Sequence, residues 1–188
     1  EVRAEAVKTL RESGDRESVD RIVELLGDED PRVRAEAVKT LRDWGVVEAV
    51  PALEGLVGDE DTRVRREAVA ALTALEGRRA VPLLEELLSN EDAEVRREAA
   101  LRLAELGDRS AVGPLEAIYK EGAGKDRTPV VLALRALGDE GPYVSEVQRL
   151  IRLLQSDQAE RVRRDAARDL GKLAPPVSYT HLRAHETR

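Results

Sequence analysis

The sequence predicts an all-α solenoid, a stack of two-helix hairpins, and three observations predict it. The segments "EVRAEAVKTL" from Glu1, "RVRAEAVKTL" from Arg32, "RVRREAVAAL" from Arg63 and "EVRREAALRL" from Glu94 superimpose at a constant step of 31 residues. Repeats of about 20–50 residues are the signature of stacked supersecondary units. Within each copy the apolar residues fall at helical spacing, as Val33, Ala37, Val38 and Leu41 do. Finally, aromatics make up 2% of the chain and Phe and Met are absent. A core made of Ala, Leu and Val suits closely packed helices.

Each unit opens with an acidic turn: "DEDP" before Val33, "DEDT" before Val64, "NEDA" before Val95. Asp30, Asp61 and Asp92 are the expected N-caps, and Pro31 sits in the first helical position, where its missing N–H is harmless. Gly14, Gly45 and Gly107 mark where first helices should stop. Second helices follow as "AVPALEGLV" from Ala49, "AVPLLEELL" from Ala80 and "AVGPLEAIY" from Ala111. Their inward positions are Val50, Leu53, Leu56 and Val57, then Val81, Leu84, Leu87 and Leu88. Pro51 and Pro82 lie in the first turn. "PVVLALRAL" from Pro129 is a divergent first helix, and "RVRRDAARDL" from Arg161 is a later copy. Neither helix of a pair can bury its stripe alone, so neighbours must stack. The expected array spans residues 1–176, as five helix pairs and one last first helix, roughly 50 Å long at the usual helix spacing.

The composition excludes several functions. With no Cys, disulfide and thiolate chemistry are ruled out. The net charge of −7 argues against coating a phosphate backbone. No apolar run approaches the roughly 20 residues of a membrane span. A cytoplasmic location is the expectation, although the chain starts at Glu1 rather than Met. Arg outnumbers Lys by 26 to 5, the bias of a GC-rich source.

The pattern "DEDPRVRAEAVKTLRDWGVVEAVPALEGLV" resembles the HEAT-repeat family, in particular the short HEAT-like repeats first associated with phycobilisome lyases. The resemblance extends to about residue 175. It implies a right-handed α-solenoid whose second helices line the concave side. The ankyrin signature and the tetratricopeptide aromatics are absent.

Arg34, Arg65, Arg96 and Arg163 recur at one place in the first helix. Each follows an acidic turn and is expected to pair with its own capping Asp or with that of the next repeat; a basic ladder for nucleic acid would need surplus positive charge. Trp44, the single Trp, stands where other repeats have Leu75 and Leu106 and is expected in the core. "EGAGKDRTP" from Glu121 lengthens one connection; it lacks the first Gly, the Ser/Thr and the preceding strand of a phosphate-binding loop. The helix after it has Val130 in place of the ladder Arg, which implies deeper burial or a docking patch.

On the geometry the resemblance implies, Glu24, Glu54, Glu85, Glu86 and Glu116 fall on the concave side. A groove of one charge sign selects partners of the other. The candidate function is therefore a non-catalytic scaffold that binds a protein or peptide, with a basic segment as the charge complement, against the simpler alternative of a solvated acidic face. No catalytic constellation, cofactor, metal site, small-molecule site, membrane contact or nucleic-acid partner is expected. The alternatives are a subunit or regulator of an enzyme such as a chromophore lyase, which the resemblance implies, and a nucleic-acid-binding module, which the charge disfavours.

Both histidines, His181 and His185, lie in the tail "VSYTHLRAHETR", residues 177–188. Two His four apart with Glu186 adjacent have the spacing of a zinc site. Yet the repeat breaks here, where a second helix is due. A reverse translation of Val177 to Thr187 matches the adapter of transposon-based sequencing libraries. The tail is expected to be non-native and disordered, and the array truncated at both ends. Ala166, Leu170 and Leu173 would then lack cover.

Overall fold

The computed structural model describes residues 2–14, 16–121, 127–155 and 160–174. Among these, helices α1 (Val2–Ser13) and α2 (Val19–Glu24) form the first hairpin, and α3 (Pro31–Trp44) and α4 (Val50–Gly55) the second. The third is α5 (Thr62–Glu76) with α6 (Val81–Leu87), followed by α7 (Ala93–Glu105) and α8 (Val112–Glu121). Next come α9 (Thr128–Ala136), α10 (Gly141–Gln155) and α11 (Glu160–Leu173). The chain divides into two compact units, residues 1–115 and 116–188. The tail histidines and the lengthened connection at 122–126 lie outside the described residues.

Paired acids start the first helices. The Asp28 carboxylate accepts from the backbone N–H of Asp30 at 2.8 Å, which forms an Asx turn. Asp30 then caps α3 by accepting from the N–H of Arg32 at 2.9 Å. Asp59 and Asp61 repeat this at α5, and Asn90 and Asp92 at α7. Each cap satisfies a helix N–H that otherwise has no partner. Pro31 occupies the first turn as expected.

At the other end, Gly45 adopts φ +68°, and the N–H of Val46 reaches back to the carbonyl of Leu41 at 3.0 Å. This left-handed closure favours a residue without Cβ. The second helices α4 and α6 are shorter than their apolar pattern predicts. In the first two hairpins α2 and α4 each lie between 3-10 turns, at 16–18 and 25–27 and at 47–49 and 56–58. Leu53 is fully buried, whereas Val50, Leu56 and Val57 are half-buried.

The core of the first unit is built from Val33, Val38, Leu41, Leu53 and Leu72, and Trp44 fills the volume that smaller side chains leave. Trp44 is 5% exposed, and its indole N–H donates to the Arg11 carbonyl at 3.4 Å. In the second unit Val131, Leu150, Ala166 and Leu173 form a separate cluster. Ala166 and Leu173 are thus covered, contrary to expectation; α10, a continuous helix of 15 residues, supplies the cover through Leu150 and its neighbours. Leu170 remains half-buried. Val130 is 1% exposed and joins the interior, so the missing ladder Arg is replaced by an apolar contact.

Candidate partner-binding surface

The ladder arginines are fixtures of the stack. Arg34 donates from Nη1 to the carbonyl of Asp28 at 2.7 Å, in the turn ahead of its own helix. Its Nε and Nη2 grip the Asp59 carboxylate of the next turn, both at 2.8 Å. Arg65 donates from Nη1 to the carbonyl of Glu60 at 3.0 Å and reaches the Asp92 carboxylate through Nη2 alone. The expected pairing with the next repeat's cap is met by Arg65, which reaches Asp92; Arg34 instead pairs with Asp59, two residues before the next cap, Asp61. The own-turn contact is to backbone carbonyls instead. Arg96 donates to the carbonyls of Asn90 and Glu91 at 2.7 and 2.9 Å. Bonding to Asp59 holds the Arg34 guanidinium above its ordinary pKa, against the opposing effect of burial. The hydrogen bond from Arg65 likewise holds Asp92 below the ordinary carboxylate range.

A second network joins neighbouring first helices. Arg11 of α1 pairs with Glu36 of α3 at 3.2 Å, and Arg42 of α3 pairs with Glu67 of α5 at 3.1 Å. Arg66 of α5 reaches the buried Glu98 of α7 at 3.4 Å. The charges of these first helices thus serve the stack.

The acidic residues of the second helices differ. Glu24, Glu54, Glu85 and Glu86 are exposed, and none of their carboxylates has an ion pair or hydrogen bond among the described residues. Glu54 and Glu85 each follow a buried leucine, Leu53 and Leu84. Glu24 and Glu86 stand one position further round, two past Ile22 and Leu84. The four therefore occupy two registers about 100° apart on the helix. Val23 takes the first register in α2, and Gly55 takes the second in α4. Glu116 belongs to the second unit, is half-buried, and pairs with Lys120 at 3.3 Å. Residues 1–115 hold 27 acidic and 18 basic side chains, whereas 116–188 hold 11 and 13.

The second unit contains a polar cluster that motif and repeat patterns did not reveal. Glu146 of α10 is 3% exposed. Arg149 donates to it through Nε at 2.9 and 3.0 Å, and Arg127 approaches at 3.8 Å. The Arg127 guanidinium lies 5.1 Å from the centre of the Tyr119 ring. Burial first, and then the Glu146 charge, push the Tyr119 hydroxyl above its ordinary pKa. Glu146 stands four before buried Leu150, the place that Ala49, Ala80 and Ala111 fill before Leu53, Leu84 and Leu115. That register was the available signal. Among the described residues no group of three or more His, Asp or Glu is placed to hold a metal ion. Nor is any described helix long and apolar enough to cross a membrane.

Repeated hairpins, capped alike and tied turn to turn by a recurring arginine, define an all-α repeat solenoid. The family model of HEAT repeats matches residues 1–73 and 51–135, and the chain belongs to that family. No curated protein sequence matches it. Among solved structures, the complex of CpcE and CpcF of phycocyanin lyase from Nostoc sp. PCC7120 is similar at 27% identity and TM-score 0.47, over 83% of this chain. This chain covers 65% of the length of that one. Two engineered proteins are similar at 25% and 24% identity, with TM-scores of 0.38 and 0.39, each over 90% of this chain and over 83% and 50% of theirs.

Proposed function

We propose that the chain is a non-catalytic repeat scaffold that holds a basic protein segment against the outward acids of its second helices. One observation carries this: Glu24, Glu54, Glu85 and Glu86 are exposed without partners, while neighbouring first-helix acids such as Glu36, Glu67 and Glu98 are tied into the stack. Unpaired carboxylates keep their full field for an incoming cation. The excess of acids in residues 1–115 adds long-range attraction. Binding rather than catalysis fits residues 1–176, which contain neither His nor Cys.

The test uses a fluorescent lysine-rich peptide and the full chain. Reversal of Glu54, Glu85 and Glu86 to Lys should remove binding. Reversal of three exposed acids elsewhere in that unit, Glu12, Glu48 and Glu91, carries the same change in net charge and should leave most of it. Equal losses from the two triple variants would reduce the surface to a general charge effect and end the proposal.

A further inference from the structure

The outward side of α10 breaks the acidic pattern. Ile151 follows buried Leu150 as Glu54 follows Leu53, Glu85 follows Leu84 and Glu116 follows Leu115; all four leucines are at most 1% exposed. An isoleucine therefore stands in the register that carries glutamate in three earlier second helices. It is 39% exposed, and Val144, two turns before it, is 48% exposed. Gln148, three before Ile151, and Gln155, four after it, lie on the same side, so this stripe of α10 bears no carboxylate. Arg152, beside Ile151, is exposed and has no partner among the described residues. The second unit as a whole has 13 basic and 11 acidic residues, the reverse of the first unit's balance.

Single exposed apolar residues are ordinary on a protein surface. Here two of them share one stripe of an unbroken 15-residue helix, and Ile151 stands at a register where earlier second helices place glutamate. Val144 and Ile151 are about 10 Å apart along the axis, the rise of seven residues. That spacing matches two apolar anchors on a facing amphipathic helix, the usual helix-to-surface mode of recognition.

We propose that this side of α10 is a second docking surface. Its occupant is a short amphipathic helix with two apolar residues two turns apart and a carboxylate that pairs with Arg152. The sign of the charge chooses the occupant: a basic helix would meet Arg152 with no acid on the stripe to offset it. The surface belongs to residues of the second unit and is independent of the acids in the first.

The experiment measures binding of a synthetic alanine-based peptide to the full chain by fluorescence anisotropy. The peptide carries two leucines seven positions apart with glutamates beside them, and its analogue has lysines instead. The glutamate peptide should bind at least about tenfold more tightly than the lysine analogue. Val144→Asp with Ile151→Asp should weaken it by a similar factor, about tenfold. Arg152→Glu should reverse the preference between the peptides, and it decides the matter alone if the double variant fails to fold by circular dichroism. Reversal of Glu54, Glu85 and Glu86 should leave binding of the glutamate peptide intact, which separates this surface from the acidic one. Equal binding of the two peptides, or a folded double variant that binds like the wild type, would overturn the proposal.

Discussion

Arg34 and Asp59 form a two-pronged ion pair, Nε to Oδ2 and Nη2 to Oδ1, each at 2.8 Å. Their side chains are 8% and 7% exposed. The pair fastens one first helix to the turn that starts the next. Arg34→Ala would leave the buried Asp59 carboxylate without its countercharge, with the Asp61 N–H as its remaining donor, and the Asp28 carbonyl without its guanidinium donor, a loss of about 3–5 kcal/mol on the usual scale for a broken buried pair. Arg34→Lys should recover only part of that, because an ammonium cannot present a planar fork. Denaturant melts of the two variants measure both numbers. Equal stability of Arg34→Lys and wild type would show that charge alone matters.

Asp61 accepts from the N–H groups of both Arg63 and Val64, at 2.8 and 3.3 Å. Asp61→Ala should cost about 1 kcal/mol, the usual value of an N-cap, and Asp61→Asn much less. Thermal melts with the two substitutions compare them directly.

Asp92 and Asp108 have carboxyl groups held below the ordinary range, Asp92 chiefly by Arg65 and Asp108 chiefly by the backbone N–H of Ser110. A lowered folded-state value means that the unfolded chain binds more protons in acid. The stability these groups contribute is complete above the unfolded aspartate value of about 3.9 and disappears as pH falls through the lowered folded values. The denaturant midpoint should therefore drop below about pH 4, and the drop should be shallower in Asp92→Asn. An unchanged slope in that variant would remove Asp92 from the acid response.

Glu146→Ala restores the residue that other repeats carry, yet it should destabilise. It removes the acceptor that Arg149 grips and opens space beside Tyr119, at a cost of about 1–3 kcal/mol. The loss should stay local, since repeats couple mainly to their neighbours. Backbone hydrogen exchange should quicken in α10 and α11, while the fluorescence of buried Trp44, in the first unit, stays constant. A shift in Trp44 emission would contradict a local effect.

Much of this fold was legible because its signals are local. The Asp caps, Pro31 and Gly45 act through their own backbone neighbourhood, so a motif suffices to locate them. Trp44 was placed in the core by its register with Leu75 and Leu106. The carbonyl contacts of Arg34 were not legible, because every residue type offers the same carbonyl. Glu146 was hidden by the changed spacing of the last repeats, which conceals its register with Ala49. The exposed glutamates were legible one by one. Their division into two registers was not, since it depends on which turn of each short helix is buried.

The turn-to-turn grip of Arg34 and Arg65 also has a mechanical meaning. Under tension along the chain, load passes from one hairpin to the next partly through these guanidinium clamps. Each clamp resists until it yields, and one repeat of 31 residues then runs out. Fully extended, that length is about 105 Å. Stretched between two handles, the protein is expected to lengthen in a staircase of such steps. Arg34→Ala should lower the force at which one riser gives way and leave the height of the step unchanged.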